Sequence, residues 1–376
     1  MVSPPKPTYA SPATKIGILT LPLSNNYGGI LQAAALYRFL QDNGFEPLFL
    51  YRKPAKNKAE VLIGAILRAI PFLNIKGLRG AERRRSVHYG FIARAMPNRT
   101  GYLRTVDELR AATIRHELDA VIVGSDQVWR PSYHFDDQPL AYFLDFVDPV
   151  QTRRIAYAAS FGMSEWPHPE LNADITALLR DFHAISVREE SGIAICSSQF
   201  AAEDVACVAD PAMLVGPAFY DEIAKPPAST EGIFLEYVLD VELIGRDAVE
   251  RLAATLPRAR AVTSLQPYGD KKDITVPEWL GYFRCAEYVI TDSFHGTLVA
   301  ILHERNFVAV LNETRGADRF RQLLGAVGLE DRLFTHIDED EIAESFARPI
   351  DYVAVGDRIR ELRSRSANFL LDALRQ

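Results

Sequence analysis

Short apolar runs recur along the chain, and between them lie segments whose apolar residues repeat at helical spacing. Residues 15–21 (KIGILTL) have the pattern of a buried strand. The loop 22–29 (PLSNNYGG) follows, then a predicted helix over about 30–42 (ILQAAALYRFLQD), which Asn43-Gly44 stops. Residues 45–51 (FEPLFLY) give the next strand. Residues 52–99 break the alternation and read as an insertion. They combine an apolar helical segment, 61–73 (VLIGAILRAIPFL), with the basic cluster Arg79, Arg83, Arg84 and Arg85. Alternation resumes with strands at 119–123 (DAVIV), 154–158 (RIAYA), 184–187 (AISV) and 205–209 (VACVA), and with a helix over about 173–181.

A stretch marked by Pro217, Pro226, Pro227 and Ser229 reads as a linker. Beyond it come a strand at 233–238 (IFLEYV), a helix near 246–256 and a strand near 260–264. The unit 287–311 (EYVITDSFHGTLVAILHERNFVAVL) is strand, loop, helix and strand. Residues 356–374 form a long amphipathic helix. Strands alternating with helices imply parallel sheets built from βαβ units. The predicted fold class is α/β, with two facing Rossmann-like doubly wound domains. The predicted division is a disordered tail over 1–14, an N-terminal domain over 15–215, a linker over 216–230, a C-terminal domain over 231–349 and a terminal helical segment over 350–376.

Composition narrows the function. At 376 residues with 48% hydrophobic and 24% charged content, the chain has the core of a globular protein, and a net charge of −7 disfavours wholesale nucleic-acid binding. Cys196, Cys207 and Cys285 form no CxxC or Cys/His cluster, so neither a disulfide framework nor a zinc site is expected, and a reducing cytoplasm fits. The Pro/Ser-rich start MVSPPKPTYASPATK lacks an apolar signal core, and no apolar run reaches bilayer-spanning length. The basic insertion suits either a solvated face packed on the first domain or contact with an anionic membrane surface.

Five unusual loops each follow a predicted strand: PLSNNYGG, GSDQVW, ASFG, VREESG and TDSFHG. In a parallel sheet the loops after strands lie along one edge, where ligands bind. The first four should therefore share one rim, with the fifth facing them from the second domain. Gly28 and Gly29 allow a close backbone approach at a helix start, or form a simple tight turn with Asn26; Tyr27 and Gln32 then serve ligand, packing or capping. Ser125, Asp126, Gln127 and Trp129 put a carboxylate, an amide and an indole beside Gly124. Asp126 can take a proton from an alcohol or cap a helix, and Trp129 can stack on a sugar or fill the core. Ser160 lies in the third loop. Arg188 suits bidentate recognition of a carboxylate or phosphate, or an ion pair, with Glu189 orienting it. His295, at a strand end and a helix start, is offered to an anionic ligand as an acid or a donor, with Ser293, Gly296 and Thr297 around it. The remaining histidines read as structural, and no metal-ligand set stands out.

Taken in order, KIGILTLPLSNNYGGILQAAAL, DAVIVGSDQVW, AYAASFG, ISVREESG, VADPAML and YVITDSFHGTLVAILH resemble the polysaccharide pyruvyl transferase family. The resemblance implies two facing Rossmann-like domains, similar to the GT-B-like glycosyltransferase architecture, with the terminal helix crossing back to the first domain. It implies transfer of an enolpyruvate-derived group from phosphoenolpyruvate to sugar hydroxyls, without a further cofactor. The acceptor would be a sugar or lipid-linked oligosaccharide, at the cytoplasmic side of the membrane. The family's key histidine falls on His295 and its phosphoenolpyruvate-binding arginine on Arg188. Many members carry an arginine where this chain has Ser293; another cation, such as Arg284, Arg315 or Arg319, would have to compensate. A nucleotide-sugar glycosyltransferase and a non-catalytic sugar-binding relative share the architecture and stand as alternatives.

Overall fold

A computed structural model of the chain describes residues 14–23, 26–53, 87–134, 138–240, 244–265, 274–312 and 316–375. In its first half, β1 (Lys15–Leu19), α1 (Tyr27–Asp42), β2 (Glu46–Phe49), α2 (Tyr89–Ala95), α3 (Val106–Arg115) and β3 (Ala120–Val123) follow in turn. Then come β4 (Arg153–Ala159), α4 (Asn172–Leu179), β5 (Phe182–Val187), α5 (Glu190–Phe200) and β6 (Val205–Cys207). The six strands run parallel in the order β2-β1-β3-β4-β5-β6.

After α6 (Pro217–Ile223) the second half contains β7 (Ile233–Tyr237), α7 (Arg246–Thr255), β8 (Ala261–Ser264), α8 (Val276–Cys285), β9 (Ala286–Thr291) and α9 (Phe294–Leu302). It ends with β10 (Asn306–Val310), α10 (Ala317–Val327), β11 (Leu333–Phe334) and α11 (Glu339–Ala347). Its strands are also parallel, in the order β11-β10-β9-β7-β8. The last helix, α12 (Tyr352–Arg375), returns to the first half. There Ala209 N donates to Ser366 Oγ (2.9 Å), Arg363 Nε to Met213 O (2.6 Å) and Arg153 Nη1 to Ala373 O (3.3 Å).

The central strands β1, β3 and β4 read as apolar runs and are buried almost throughout, as strands covered on both faces must be. Alternate residues divide between two cores: Ile18, Ile122 and Tyr157 join the α1 side, while Leu19, Val121 and Val123 pack with Trp129 and Phe143. The α1-side core continues across the two halves, where Tyr27 stacks on Trp279 with ring centroids 5.6 Å apart.

Both halves share one topology. The winding direction reverses beside β1 and β3 in the first sheet, and beside β7 and β9 in the second. Open α/β sheets bind ligands beyond the carboxyl ends of strands at such a switch point. The loops that leave β1 and β3 therefore matter most in the first half, and those that leave β7 and β9 in the second.

Several elements differ from the sequence expectation. α1 starts at Tyr27 rather than Ile30, because the Asn26 side chain caps it by accepting from Gly29 N (3.0 Å). α9 starts at Phe294, capped by Ser293, so His295 lies inside the first turn rather than ahead of the helix. The stretch read as a linker contains α6, whose Pro217 occupies a first-turn position where a missing N–H costs little. α3 and α8, absent from the alternation, each open with a capping box, Thr105/Glu108 and Thr275/Glu278. The helical segment 61–73 and Arg79, Arg83, Arg84 and Arg85 lie outside the described residues. The end of the insertion rejoins the sheet beside β2, where Phe49 N donates to Asn98 O (3.0 Å) and Leu103 N to Tyr51 O (2.9 Å). Among the described residues no helix is long and apolar enough to cross a membrane.

Candidate active site

The switch point of the first sheet is built on a glycine. Gly124, directly after β3, has φ +127°, and a Cβ there would lie 2.1 Å from Tyr157 O. Only glycine fits, and the turn it makes presents Ser125 and Asp126 at the rim. Asp126 adopts φ 71°, a left-handed conformation that aspartate tolerates. Gln32 ties the loops after β1 and β3 together. Its Nε2 donates to Thr20 Oγ1 (3.1 Å) and Gly29 O (3.0 Å), and its Oε1 accepts from Ser125 N (3.2 Å). Asn26 Nδ2 donates to Asp126 Oδ2 at 3.1 Å.

Arg188, directly after β5, enters the same place. Its Nη1 donates to Asp210 Oδ2 at 2.6 Å, its Nη2 lies 3.6 Å from Asp126 Oδ1, and its Nε lies 4.0 Å from Glu189 Oε2. Glu189 is fixed by its other oxygen, which accepts from Ser160 Oγ (2.7 Å), Phe161 N (3.2 Å) and Gly162 N (3.3 Å). Asp210 follows β6. It also accepts from Ser125 Oγ (3.3 Å) and Ala212 N (3.0 Å).

The second half contributes the α9 start and α10. His295 Nε2 lies 3.5 Å from Asp210 Oδ2. Its ring packs so closely on α1 that a Cβ at Gly28 would sit 2.1 Å from the ring Cγ. Gly28 thus makes room for the histidine. The Phe294 ring lies under two guanidinium groups, with Arg188 Cζ at 4.5 Å and Arg319 Cζ at 5.4 Å from its centroid. Arg319 Nη1 lies 4.0 Å from Asp126 Oδ1. Asp292 braces the second switch point by accepting from Leu239 N (2.6 Å) and Asp240 N (2.9 Å).

Burial and neighbouring charge oppose each other throughout this cluster. Burial favours the neutral form of Asp210, but His295 and Arg188 overcome it and hold its carboxyl well below the usual range. Burial likewise opposes ionisation of Asp126, and Arg188, His295 and Arg319 reverse the effect and lower its pKa. Arg188 is raised: Asp210, Asp126 and Glu189 outweigh its desolvation. Arg319 is pushed down to about 10, first by burial and then by the charge of Arg188.

The cluster leaves hydrogen-bonding capacity unmet. Arg188 Nε and Nη2, His295 Nε2 and Glu189 Oε2 are shielded from solvent and have no hydrogen-bond partner among the described residues. Buried polar groups are ordinarily paired. Two unmet N–H-bearing positions on one guanidinium form a fork that matches a carboxylate or phosphate edge.

Other residues singled out in the sequence take supporting places. Tyr27 stacks on Trp279 and its hydroxyl donates to Ile274 O (3.2 Å), bridging the halves. Gln127 Oε1 accepts from Arg130 Nη1 (2.8 Å). Trp129 is fully buried between Phe143 and Phe161, each 5.2 Å from it, and its Nε1 donates to Tyr142 O (2.9 Å), so it presents no open face to a sugar. Ser293 Oγ caps Gly296 N (3.2 Å), and Thr297 Oγ1 bonds back to Ser293 O (3.1 Å). Arg284 pairs with Asp221 at the surface (3.3 Å), and Arg315 lies outside the described residues. Asp210 appeared in the sequence only within the VADPAML run, and Arg319 only as one of three substitute cations. An acid directly after a predicted strand was the available signal for Asp210.

The polysaccharide pyruvyl transferase family profile matches residues 26–314, which include Asn26, Asp126, Arg188, Asp210 and His295. The chain belongs to the polysaccharide pyruvyl transferase family. No curated protein sequence matches it. Among solved structures it is similar to UDP-GlcNAc 2-epimerase from Neisseria meningitidis bound to UDP-GlcNAc. That pair has a TM-score of 0.51 and 11% identity, covering 96% of this chain and 99% of that one. It is also similar to Arabidopsis thaliana UGT89C1 complexed with UDP-L-rhamnose (TM-score 0.50, 9% identity, 97% and 100% covered). The glycotransferase of kitacinnamycin gives TM-score 0.50 at 12% identity, with 97% and 100% covered. Identities this low speak to the shared two-domain architecture alone. For this pyruvyl transferase family member, the fold expectation of two facing Rossmann-like domains holds.

Proposed function

We propose that the protein transfers an enolpyruvate-derived group from phosphoenolpyruvate to hydroxyls of a sugar in a surface polysaccharide or its precursor, closing a pyruvate ketal. The observation that carries this reading is the unmet hydrogen-bonding capacity of Arg188 and His295 where the two switch points meet. Phosphoenolpyruvate carries a carboxylate and a phosphate, and both need donors. The Arg188 guanidinium, whose Nε and Nη2 have carboxylates nearby but no hydrogen bond, suits one. Arg319, 5.4 Å from the centroid of the same Phe294 ring, brings a second guanidinium to the cluster, in a chain that has Ser293 where many members carry an arginine. His295 takes the phosphate side, as donor or acid.

The chemistry then needs a proton on the methylene carbon, which makes the central carbon electrophilic. A sugar hydroxyl adds there and gives up its proton. A second hydroxyl displaces phosphate, which leaves with a proton, and the ketal closes. Two hydroxyl protons are released, one is gained at carbon and one leaves on phosphate. Asp126, ionised and held by Asn26, orients the acceptor hydroxyl; its lowered pKa makes it a weak base, so positioning outweighs proton removal. The scheme calls for no metal or further cofactor. The donor is an intracellular metabolite, so the reaction belongs on the cytoplasmic side, at the membrane face when the acceptor is lipid-linked.

The test is phosphate release from phosphoenolpyruvate by the purified protein, with and without a panel of hexosides and oligosaccharides. Acceptor-dependent release, lost in Arg188→Ala, supports the reading. Consumption of a UDP-sugar instead, with phosphoenolpyruvate untouched, overturns it.

A further inference from the structure

Phe294 stands between Ser293 and His295 in the first turn of α9, and its side chain is buried. Two guanidinium groups from opposite halves of the chain converge on its ring. Arg188, after β5, has its Cζ 4.5 Å from the centroid, and Arg319, on α10, has its Cζ at 5.4 Å. The same two groups also approach one carboxylate oxygen, Asp126 Oδ1, with Arg188 Nη2 at 3.6 Å and Arg319 Nη1 at 4.0 Å. Two buried cations so placed repel each other. Burial first, and then the charge of Arg188, lower the Arg319 pKa, and the second of these causes is that repulsion.

The ring opposes the repulsion. The face of an aromatic ring is electron-rich and attracts a cation, and the attraction strengthens where water is excluded. An aliphatic side chain of similar volume would fill the space and offer no such face. The ring is itself fixed in direction. His295 packs perpendicular to it, with centroids 5.2 Å apart and planes at 82°, and Phe320 does the same at 6.1 Å and 90°. Phe320 directly follows Arg319, so α10 meets the ring through two successive residues.

We propose that Phe294 is a positioning residue for the anionic donor, acting through Arg188 and Arg319 by holding both guanidinium groups in place before the donor arrives. The inference rests on the pyruvyl-transfer reading for the identity of that anion. With the ring present, phosphoenolpyruvate meets two cations already gathered. Without it, repulsion turns the arginines apart in the free protein, and the donor has to bring them back together, which lowers its affinity.

Fluorination at position 294 is the test, because it withdraws electrons from the face of the ring with little change in its size. Full-length protein carrying phenylalanine with one or with three ring fluorines at that position is compared with native protein and with Phe294→Leu. Phosphoenolpyruvate affinity is measured by calorimetry, with circular dichroism to show that each protein is folded at the assay temperature. The expected result is a stepwise loss of affinity with fluorination, reaching about tenfold for three fluorines and about thirtyfold for Phe294→Leu. In an Arg319→Met background the ring holds Arg188 alone, and the effect of three fluorines should shrink to about threefold. Affinity that falls in Phe294→Leu but ignores fluorination assigns the ring to packing and overturns the inference. A fluorine effect of the same size with and without Arg319 overturns it too. Native protein that binds phosphoenolpyruvate with no dependence on position 294 sinks the inference alone, whereas native protein that binds none sinks the donor reading and the inference with it.

Discussion

Replacing Asp210 by asparagine isolates the charge that organises the site. Asp210 Oδ2 receives Arg188 at 2.6 Å and Ser125 at 3.3 Å, and lies 3.5 Å from His295. Without that charge, the carboxylates left to the buried Arg188 among the described residues lie at 3.6 and 4.0 Å, neither in hydrogen-bond contact. Breaking a buried ion pair by removing one partner costs about 3–5 kcal/mol. Asparagine keeps the shape and the acceptor for Ala212 N, which places Asp210→Asn at the lower end, about 3 kcal/mol.

The pH dependence has a definite sign. The folded-state pKa of Asp210 lies below its unfolded value, so its stabilisation is fully present above about pH 4 and is lost as pH falls below it. The assay is urea unfolding of native and Asp210→Asn protein between pH 7 and pH 3, compared at equal m-value. The gap between the two should be about 3 kcal/mol at neutral pH and narrow below about pH 4. A gap under about 0.5 kcal/mol at neutral pH, within the range of ordinary surface changes, would refute the reasoning. So would a gap that ignores pH.

Three further outcomes follow from the same contacts. Gly28→Ala puts a methyl group into the His295 ring, and displacing that ring by about 1 Å should lower turnover roughly a hundredfold while the protein stays folded; full activity would separate His295 from the chemistry. Trp129→Ala should cost about 3–5 kcal/mol of stability as a core deletion, with acceptor KM unchanged; a raised KM at unchanged stability would put the indole in the sugar site after all. Burial pushes the Cys196 and Cys207 thiols up to about 12, so both should resist iodoacetamide at pH 8 until the chain is unfolded; rapid labelling of the folded protein, read by mass spectrometry, would contradict that burial.

Much of the architecture was legible because parallel strands covered on both faces must be apolar throughout. Runs such as DAVIV and RIAYA therefore announced themselves, and the loop after each carried its unusual residues to the rim. Boundaries were less legible where a side chain rather than a pattern decides them. Asn26 and Ser293 extend α1 and α9 backwards by capping, which moved Gly28 and His295 from loops into first helical turns. Asn26, Asp126, Arg188 and His295 were visible as polar residues in the wrong place for a core. Arg319 was legible only as one of three candidate cations, because it sits in an ordinary amphipathic helix and the packing of α10 against Phe294 and Asp126 is what brings it to the site. Trp129 had two readings that sequence alone could not separate, since an indole beside a glycine turn serves a core and a sugar equally well.

The central claim, that Arg188 and His295 receive phosphoenolpyruvate, is tested most directly by calorimetric titration of the purified protein with phosphoenolpyruvate beside the Arg188→Ala and His295→Ala variants. Saturable binding by the native protein that disappears in Arg188→Ala and weakens in His295→Ala is the predicted result. Equal binding by all three proteins, or no binding by the native protein with the acceptor hexoside present, would contradict it.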